Sequence, residues 1–339
     1  MRRAPISLAV GMLAAALFAA PASAETTVWN FNIFGPPRAV TTGIEAMRDF
    51  YKKESNGALE IKIAYGAALG PERQAPESIK SGGYEGALMC AGYYPNKFPL
   101  LTVMELPFLP PRDIGANEKV NSAILEHPLI VKEMAERWNI KFFAPIFLPA
   151  FEFMGNKRIA SVADMKGVKM RIGGLNAKAL QAYGAVPTMV TAPEGYEALQ
   201  RGTIDSFGFP YTFAFGAYKL HEVSKFATEG MAMSGFMCFE GVSLTAWNKL
   251  PDNLKAKLPE AQKLAGAALL KAYKADDDKW LPIFKQKLEV VQFPAEERAK
   301  LIAASGDIWE GWAKEQEAAG RSGREVLNFV KSEVAKSTH

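Results

Sequence analysis

Hydrophobic positions fall into two rhythms along the chain. Trp29, Phe31 and Ile33 alternate with polar neighbours, the period of a strand. Val40, Ile44, Met47 and Tyr51 then recur at helical spacing, and Gly57 follows as a stop. Leu59, Ile61 and Ile63 resume the alternation. The pattern predicts a β-α-β unit with a right-handed, parallel crossover. A Gly70-Pro71 turn opens a short helix to Lys80, residues 84–90 read as a strand, 117–138 as one long helical stretch and 140–148 as another strand.

The densest signal spans 168–209. Strands are expected at 168–172, 186–190 and 203–209, with helices at 177–183 and from Pro193 to Arg201, where Gly202 supplies the cap. Residues 236–247 look extended. From Leu254 the chain is mostly helical, interrupted at Pro282 and by a short strand at 288–293, with a charged helix at 307–336. The fold class is α/β throughout, with two β-α-β regions about a hundred residues apart. A length of 339 residues fits roughly two domains.

The first 24 residues depart from this pattern and read as a secretory signal: Arg2 and Arg3, an apolar run from Leu8 to Ala20, and Ala22-Ser23-Ala24 as the cleavage site. The apolar run is too short to cross a bilayer core of about 30 Å as a helix. Cleavage lowers the formal net charge from +4 to +2. With no basic run, a nucleic-acid footprint is not expected. Two cysteines, Cys90 and Cys238, enter a compartment where a disulfide persists; two buried free thiols are the expectation, a bridge the alternative. Only three histidines occur, and G-x-S-x-G, H-E-x-x-H, C-x-x-C and P-loop patterns are absent. No metal or other cofactor is expected, and an enzyme is the minor reading.

Ligands of open parallel sheets bind beyond the carboxyl ends of the strands. That rule selects Phe34, Tyr93 and Tyr94 in the first region and Arg171, Thr191 and Phe209 in the second. Arg171 offers a permanently charged fork that matches a carboxylate; the competing readings are an ion pair with Glu152 or Asp205, or exposure. Phe207, Phe209, Tyr211, Phe213 and Phe215 alternate, and Phe151, Phe153, Phe236 and Phe239 add further aromatics. An apolar pocket with one fixed cation suits an organic acid with an apolar or aromatic body.

The stretch from Asp164 to Arg171, DMKGVKMR, resembles the D-x-K-G-x-K-x-R signature of the solute-binding proteins of tripartite ATP-independent periplasmic (TRAP) transporters. Gly184-Ala185-Val186-Pro187 is similar to the family's G-A-x-P, and the stretch from Glu194 to Asp205 to its E-x-Y-x-A-L-Q-x-G-x-x-D. The ELPFL stretch from Glu105 to Leu109, and the stretch from Ala246 to Pro251, match too. The resemblance implies a two-lobed clamshell with a long helix along both lobes: 25–148 with 236–276 as the first lobe, and 149–235 with 277–339 as the second. Crossings are expected near Leu148, Gly235 and the helix around Lys274 to Trp280.

It also implies an organic-acid ligand paired with Arg171, a periplasmic monomer, and small and large membrane subunits as partners that import the solute on an ion gradient. A second arginine of many members falls here at Phe151, and an asparagine at Phe209. Two polar contacts are thus aromatic, and a less polar acid is expected. The alternatives are a C4-dicarboxylate or 2-oxo acid as solute, or a sensor partner as the receiver. Phe236 completes the candidate set of Arg171, Phe209, Phe151, Phe34, Tyr93, Tyr94 and Thr191.

Overall fold

The computed structural model describes residues 26–337, so the signal segment lies outside the described residues. Eleven strands occur there: β1 (Thr27–Asn32), β2 (Leu59–Ala64), β3 (Gly86–Cys90), β4 (Ile140–Pro145), β5 (Phe151–Gly155), β6 (Lys169–Arg171), β7 (Val186–Pro187), β8 (Ser206–Pro210), β9 (Phe226–Glu229), β10 (Cys238–Ser243) and β11 (Glu289–Gln292). They build two sheets, ordered β2-β1-β3-β10-β4 and β11-β9-β5-β8-β6-β7. The first β-α-β unit is as the alternation predicts: β1 and β2 run parallel, Trp29 opposite Ile61, and the helix Thr42–Glu54 covers them with Ile44, Met47 and Tyr51. Each sheet is mixed, because β10 returns antiparallel into the first and β5 antiparallel into the second.

One core runs from the first sheet into the second, where it takes in Met154, Phe207 and Phe209, and a smaller one lies within the second half. In the first, Phe143 gathers Trp29, Phe31 and Tyr51, with the Tyr51 ring stacked at 5.6 Å. In the second, Phe151, Phe153, Met170, Leu180, Met231 and Leu301 pack together. The helix Leu258–Lys287 ties the halves together and is about 45 Å long at 1.5 Å per residue. Near its start Leu269 lies against Gly43 of the first half. Further on, Tyr273 donates its hydroxyl to Phe147 O at 3.0 Å, and Phe284 meets Tyr211 and Phe215 of the second half. The C-terminal helices touch both halves: Tyr183 donates to Lys300 O, whereas Trp312 Nε1 donates to Thr102 Oγ1 and Phe329 meets His127.

Several expectations change. The cysteines are not free thiols: Cys90 and Cys238 are bonded to each other. The reason is register, since β10 lies antiparallel beside β3 with Cys238 opposite Cys90. The stretch 117–138 is two helices, Ile114–Leu125 and Pro128–Trp138, because Pro128 opens the second and His127 caps it through Nδ1, which accepts from Leu129 N. Pro282, by contrast, does not end the long helix; the apolar contacts on either side hold it through the missing hydrogen bond. The tail from 307 is broken after Ala318 at Gly320, in left-handed backbone. The extended stretch 236–247 is a strand only to Ser243, whose hydroxyl then caps the helix Leu244–Asn248.

Candidate functional site

Between the sheets, at the carboxyl ends of β1, β3 and β8, lies a small cavity of ≈ 40 Å³. Phe34, Tyr93, Phe151, Phe209 and Phe236 line it. A larger hollow of ≈ 550 Å³ is a groove outside β4, around Lys141 and Leu258, and shares none of these residues.

Arg171 ends β6, where register sets it opposite Phe207 of β8. Its side chain is completely buried and is not on the cavity lining; it lies behind Tyr93, Phe209 and Phe236, which are. Nε donates to Val190 O at 3.0 Å, Nη1 to Gly208 O at 2.9 Å and Nη2 to the Tyr93 hydroxyl at 3.4 Å. Three rings surround the guanidinium carbon: Phe207 at 4.3 Å, Phe236 at 5.2 Å and Phe209 at 5.4 Å. None of its three hydrogen-bond partners is anionic. Burial pulls its pKa below the ordinary value, with the phenol of Tyr93 opposing that shift.

Neither acid named as a structural counter-ion reaches it. Glu152 accepts from Thr228 Oγ1 and from the N–H groups of Gly230, Met231 and Ala232. Asp205 accepts from Lys169 N. A third acid, Glu105, is fully buried and accepts from Met237 N at 3.3 Å. Burial pushes its pKa up to about 8, against hydrogen bonds and the charge of Arg171. Burial thus favours its protonated form, which weakens the counter-charge it offers the guanidinium.

Tyr93 bridges the halves. Its hydroxyl accepts from Arg171 Nη2 and from Ala192 N at 3.1 Å, so its own proton is uncommitted to either bond. Phe236 meets Tyr93 edge-on at 5.4 Å and Phe151 at 6.1 Å, and Phe151 meets Phe209 at 6.4 Å. Two sequence candidates face elsewhere. Tyr94 donates its hydroxyl to Glu72 O and packs on Phe98. Thr191 is engaged by Glu194, which accepts from its hydroxyl at 2.8 Å; its neighbour Ala192 is the one on the cavity wall.

Sequence reasoning missed Arg38 and Tyr218, which also line the cavity. The Arg38 guanidinium lies 5.1 Å over Phe34 and 5.5 Å over Tyr218, with Nη1 held by the carbonyls of Phe34 and Pro36. Gly35, at φ 72°, makes this junction possible, since a Cβ there would sit 2.0 Å from the Tyr218 hydroxyl oxygen. The signal lay in Gly35-Pro36-Pro37-Arg38, directly after the strand tip at Phe34; nothing in local pattern pointed to Tyr218. Among the described residues no cluster of three or more His, Cys, Asp or Glu side chains fits a metal ion, and no helix is long and apolar enough to cross a membrane.

Comparisons with known proteins agree with this architecture. A solute-binding protein of Verminephrobacter eiseniae is 28% identical over 229 residues, 65% of this chain and 66% of that protein. Among solved structures, a TRAP periplasmic solute-binding protein of Desulfovibrio salexigens with bound orotic acid superposes with a TM-score of 0.82 at 22% identity, over 92% of this chain and all of that one. A TRAP solute-binding protein of Rhodoferax ferrireducens T118 with copurified benzoate gives 0.81 at 22% identity, over 92% and 99%. Residues 34–316 match the family described as bacterial extracellular solute-binding protein, family 7 (DctP). With two mixed sheets, a long helix packed on both and a match over most of its length, this chain belongs to that solute-binding family.

Proposed function

We propose that this chain is a periplasmic receptor for a small organic acid with an apolar or aromatic body, which it hands unchanged to the small and large membrane subunits of a TRAP transporter. The observation that carries the reading is a completely buried arginine whose protein partners are two carbonyls and a phenol. An isolated buried charge is unfavourable by several kcal/mol, so the site calls for an anion from outside. A guanidinium has five N–H donors, and three are engaged here; the remaining two, with the Tyr93 proton, suit one carboxylate. Phe34, Phe151, Phe209 and Phe236 would enclose its body, in a cavity that has to widen from its ≈ 40 Å³ to admit it.

The solute enters when the halves part about crossings near Leu148, Gly235 and the long helix, and it favours closure because both halves contact it only when shut. Orotate and benzoate in the two structural relatives are flat carboxylates of the expected kind. A thermal-shift screen over benzoate, hydroxybenzoates, orotate, 2-oxo acids and C4-dicarboxylates tests the reading. Ligand at a hundred times its Kd stabilises by about 2.7 kcal/mol, a readable shift. Hits among aromatic or apolar monocarboxylates are expected; hits confined to sugars or cations would overturn the assignment.

A further inference from the structure

The Cys90–Cys238 disulfide is not a remote staple. Both cysteines line the solute cavity. They form the last pair of the β3–β10 ladder, beyond which the two segments lead into site residues. Three residues after Cys90 comes Tyr93, which reaches the Arg171 guanidinium with its hydroxyl; two before Cys238 comes Phe236, whose ring lies 5.2 Å from the same group. Past the bridge, Ala91 N donates to Met237 O at 2.8 Å, and a Cβ on Gly92 would meet the Phe236 ring at 2.4 Å. The two segments interleave with no slack, immediately past a covalent link.

We infer that the Cys90–Cys238 disulfide is a positioning element of the solute site, fixing Tyr93 and Phe236 as one unit against Arg171. The inference rests on the carboxylate-receptor reading for its consequence in affinity, but not for its consequence in order. The terminal pair of a strand ladder frays, and a cross-link there removes the states in which Tyr93 and Phe236 drift apart. Without it, two side chains have to be ordered at the moment of binding, which weakens affinity about tenfold.

The test compares the full chain oxidised, reduced with dithiothreitol and reoxidised. In the reduction two electrons and two protons pass from the dithiol to the two sulfurs, and the dithiol closes to its cyclic disulfide. The doubly substituted chain, Cys90→Ala with Cys238→Ala, covers the case in which the buried bridge resists reduction; reduction of the folded chain covers the case in which the variant does not fold. Amide hydrogen exchange is read first, without solute. Exchange is expected to quicken over 91–94 and 235–237 while β1 stays protected.

Calorimetry with benzoate, or with whichever acid of the panel binds, then gives the affinity, for the chain with Tyr93 and with Tyr93→Phe. A positioning bridge predicts a loss of about tenfold on reduction and a smaller effect of Tyr93→Phe in the reduced chain than in the oxidised one. A merely structural bridge lowers the melting temperature but leaves affinity unchanged and the two effects additive; that result, or unchanged exchange in both segments, overturns the inference. If the oxidised chain binds no acid at all, the receptor reading fails, and the exchange data alone decide whether the bridge orders the two segments.

Discussion

Replacing Arg171 by alanine removes the buried cation behind the cavity wall, against Tyr93, Phe209 and Phe236. The variant loses the two free N–H groups of the fork, each able to make a charge-assisted bond worth roughly 1.5–3 kcal/mol. It also leaves a solute carboxylate buried among Phe151, Phe209 and Phe236 with only the Tyr93 proton to meet it. Truncating one partner of a buried charge pair weakens binding by about 2–5 kcal/mol, which is about 30- to 4,000-fold in Kd. The same change frees the carbonyls of Val190 and Gly208 from their donors while relieving a desolvated charge, so melting temperature moves for two opposed reasons. Calorimetric Kd, taken well below the variant's own melting temperature, is therefore the readout. Arg171→Lys separates charge from geometry: an ammonium keeps the charge but cannot reproduce a two-pronged edge, and most of the affinity should be lost with it. An alanine variant that folds and binds as the parent does would refute the anchor.

Other predictions follow from single contacts. Glu105 ionises at about 8 in the fold against 4.5 for a free carboxyl. The native state thus holds an extra proton on this group between those values, so its contribution to stability is fullest below about 4.5, falls as pH rises through the window and levels off above about 8. Glu105→Gln should flatten that fall, raising the melting temperature most near pH 9 in a pH series; an equal shift at pH 4 and pH 9 would contradict it. Gly35→Ala places a Cβ against the Tyr218 hydroxyl in left-handed backbone. It should lower stability by about 1–3 kcal/mol in chemical denaturation and weaken solute binding as Tyr218 is displaced. Pro282→Ala restores an N–H inside the long helix; a helix gain of about 3 kcal/mol less the lost chain stiffness leaves about 2 kcal/mol of stabilisation, measurable as a higher urea midpoint. Loss of the disulfide, which spans 148 residues, should destabilise by about 5 kcal/mol on the chain-entropy account, provided the reduced chain keeps no compensating structure.

Local signals were legible where one face of an element is buried. Trp29, Phe31 and Ile33, then Ile44, Met47 and Tyr51, state their strand and helix because the sheet hides one side and water bathes the other. Boundaries failed where a cap or a tertiary contact outweighs the pattern. His127 and Pro128 end one helix and start another within a continuous apolar rhythm, and Pro282 is overruled by the flanking packing of Tyr273 and Phe284. The strand-tip rule brought Phe34, Tyr93, Phe209 and Arg171 together because it depends on topology alone. It also admitted Tyr94 and Thr191, since a tip position does not fix which way a side chain turns. Tyr218 and the disulfide depend on how distant segments meet: helix Phe213–Ala217 delivers one, and the antiparallel return of β10 beside β3 the other.

The remaining physical question is how a cation survives buried beside this cavity between visits of the solute. The three rings around Arg171 turn their faces' negative quadrupole toward it, each worth roughly 0.5–2 kcal/mol, and two carbonyls add dipoles of the right sign. This environment steadies the charge without assigning it a resident acid, and the protonated Glu105 respects the same rule. An incoming carboxylate then displaces no competing ion pair, so its full attraction counts toward binding. Arg38 is the cation on the opposite wall, but its Nη1 is held by the carbonyls of Phe34 and Pro36, and its face lies over Phe34 and Tyr218. Only Nη1 is so engaged among the described residues, which leaves Nε and Nη2 of Arg38 as donors for a second polar group, whereas an apolar body meets the rings of Phe34, Phe151, Phe209 and Phe236. The wall of rings between the two guanidinium groups fits the apolar body of the proposed solute, and the number of its acid groups is what a panel of mono- and diacids decides.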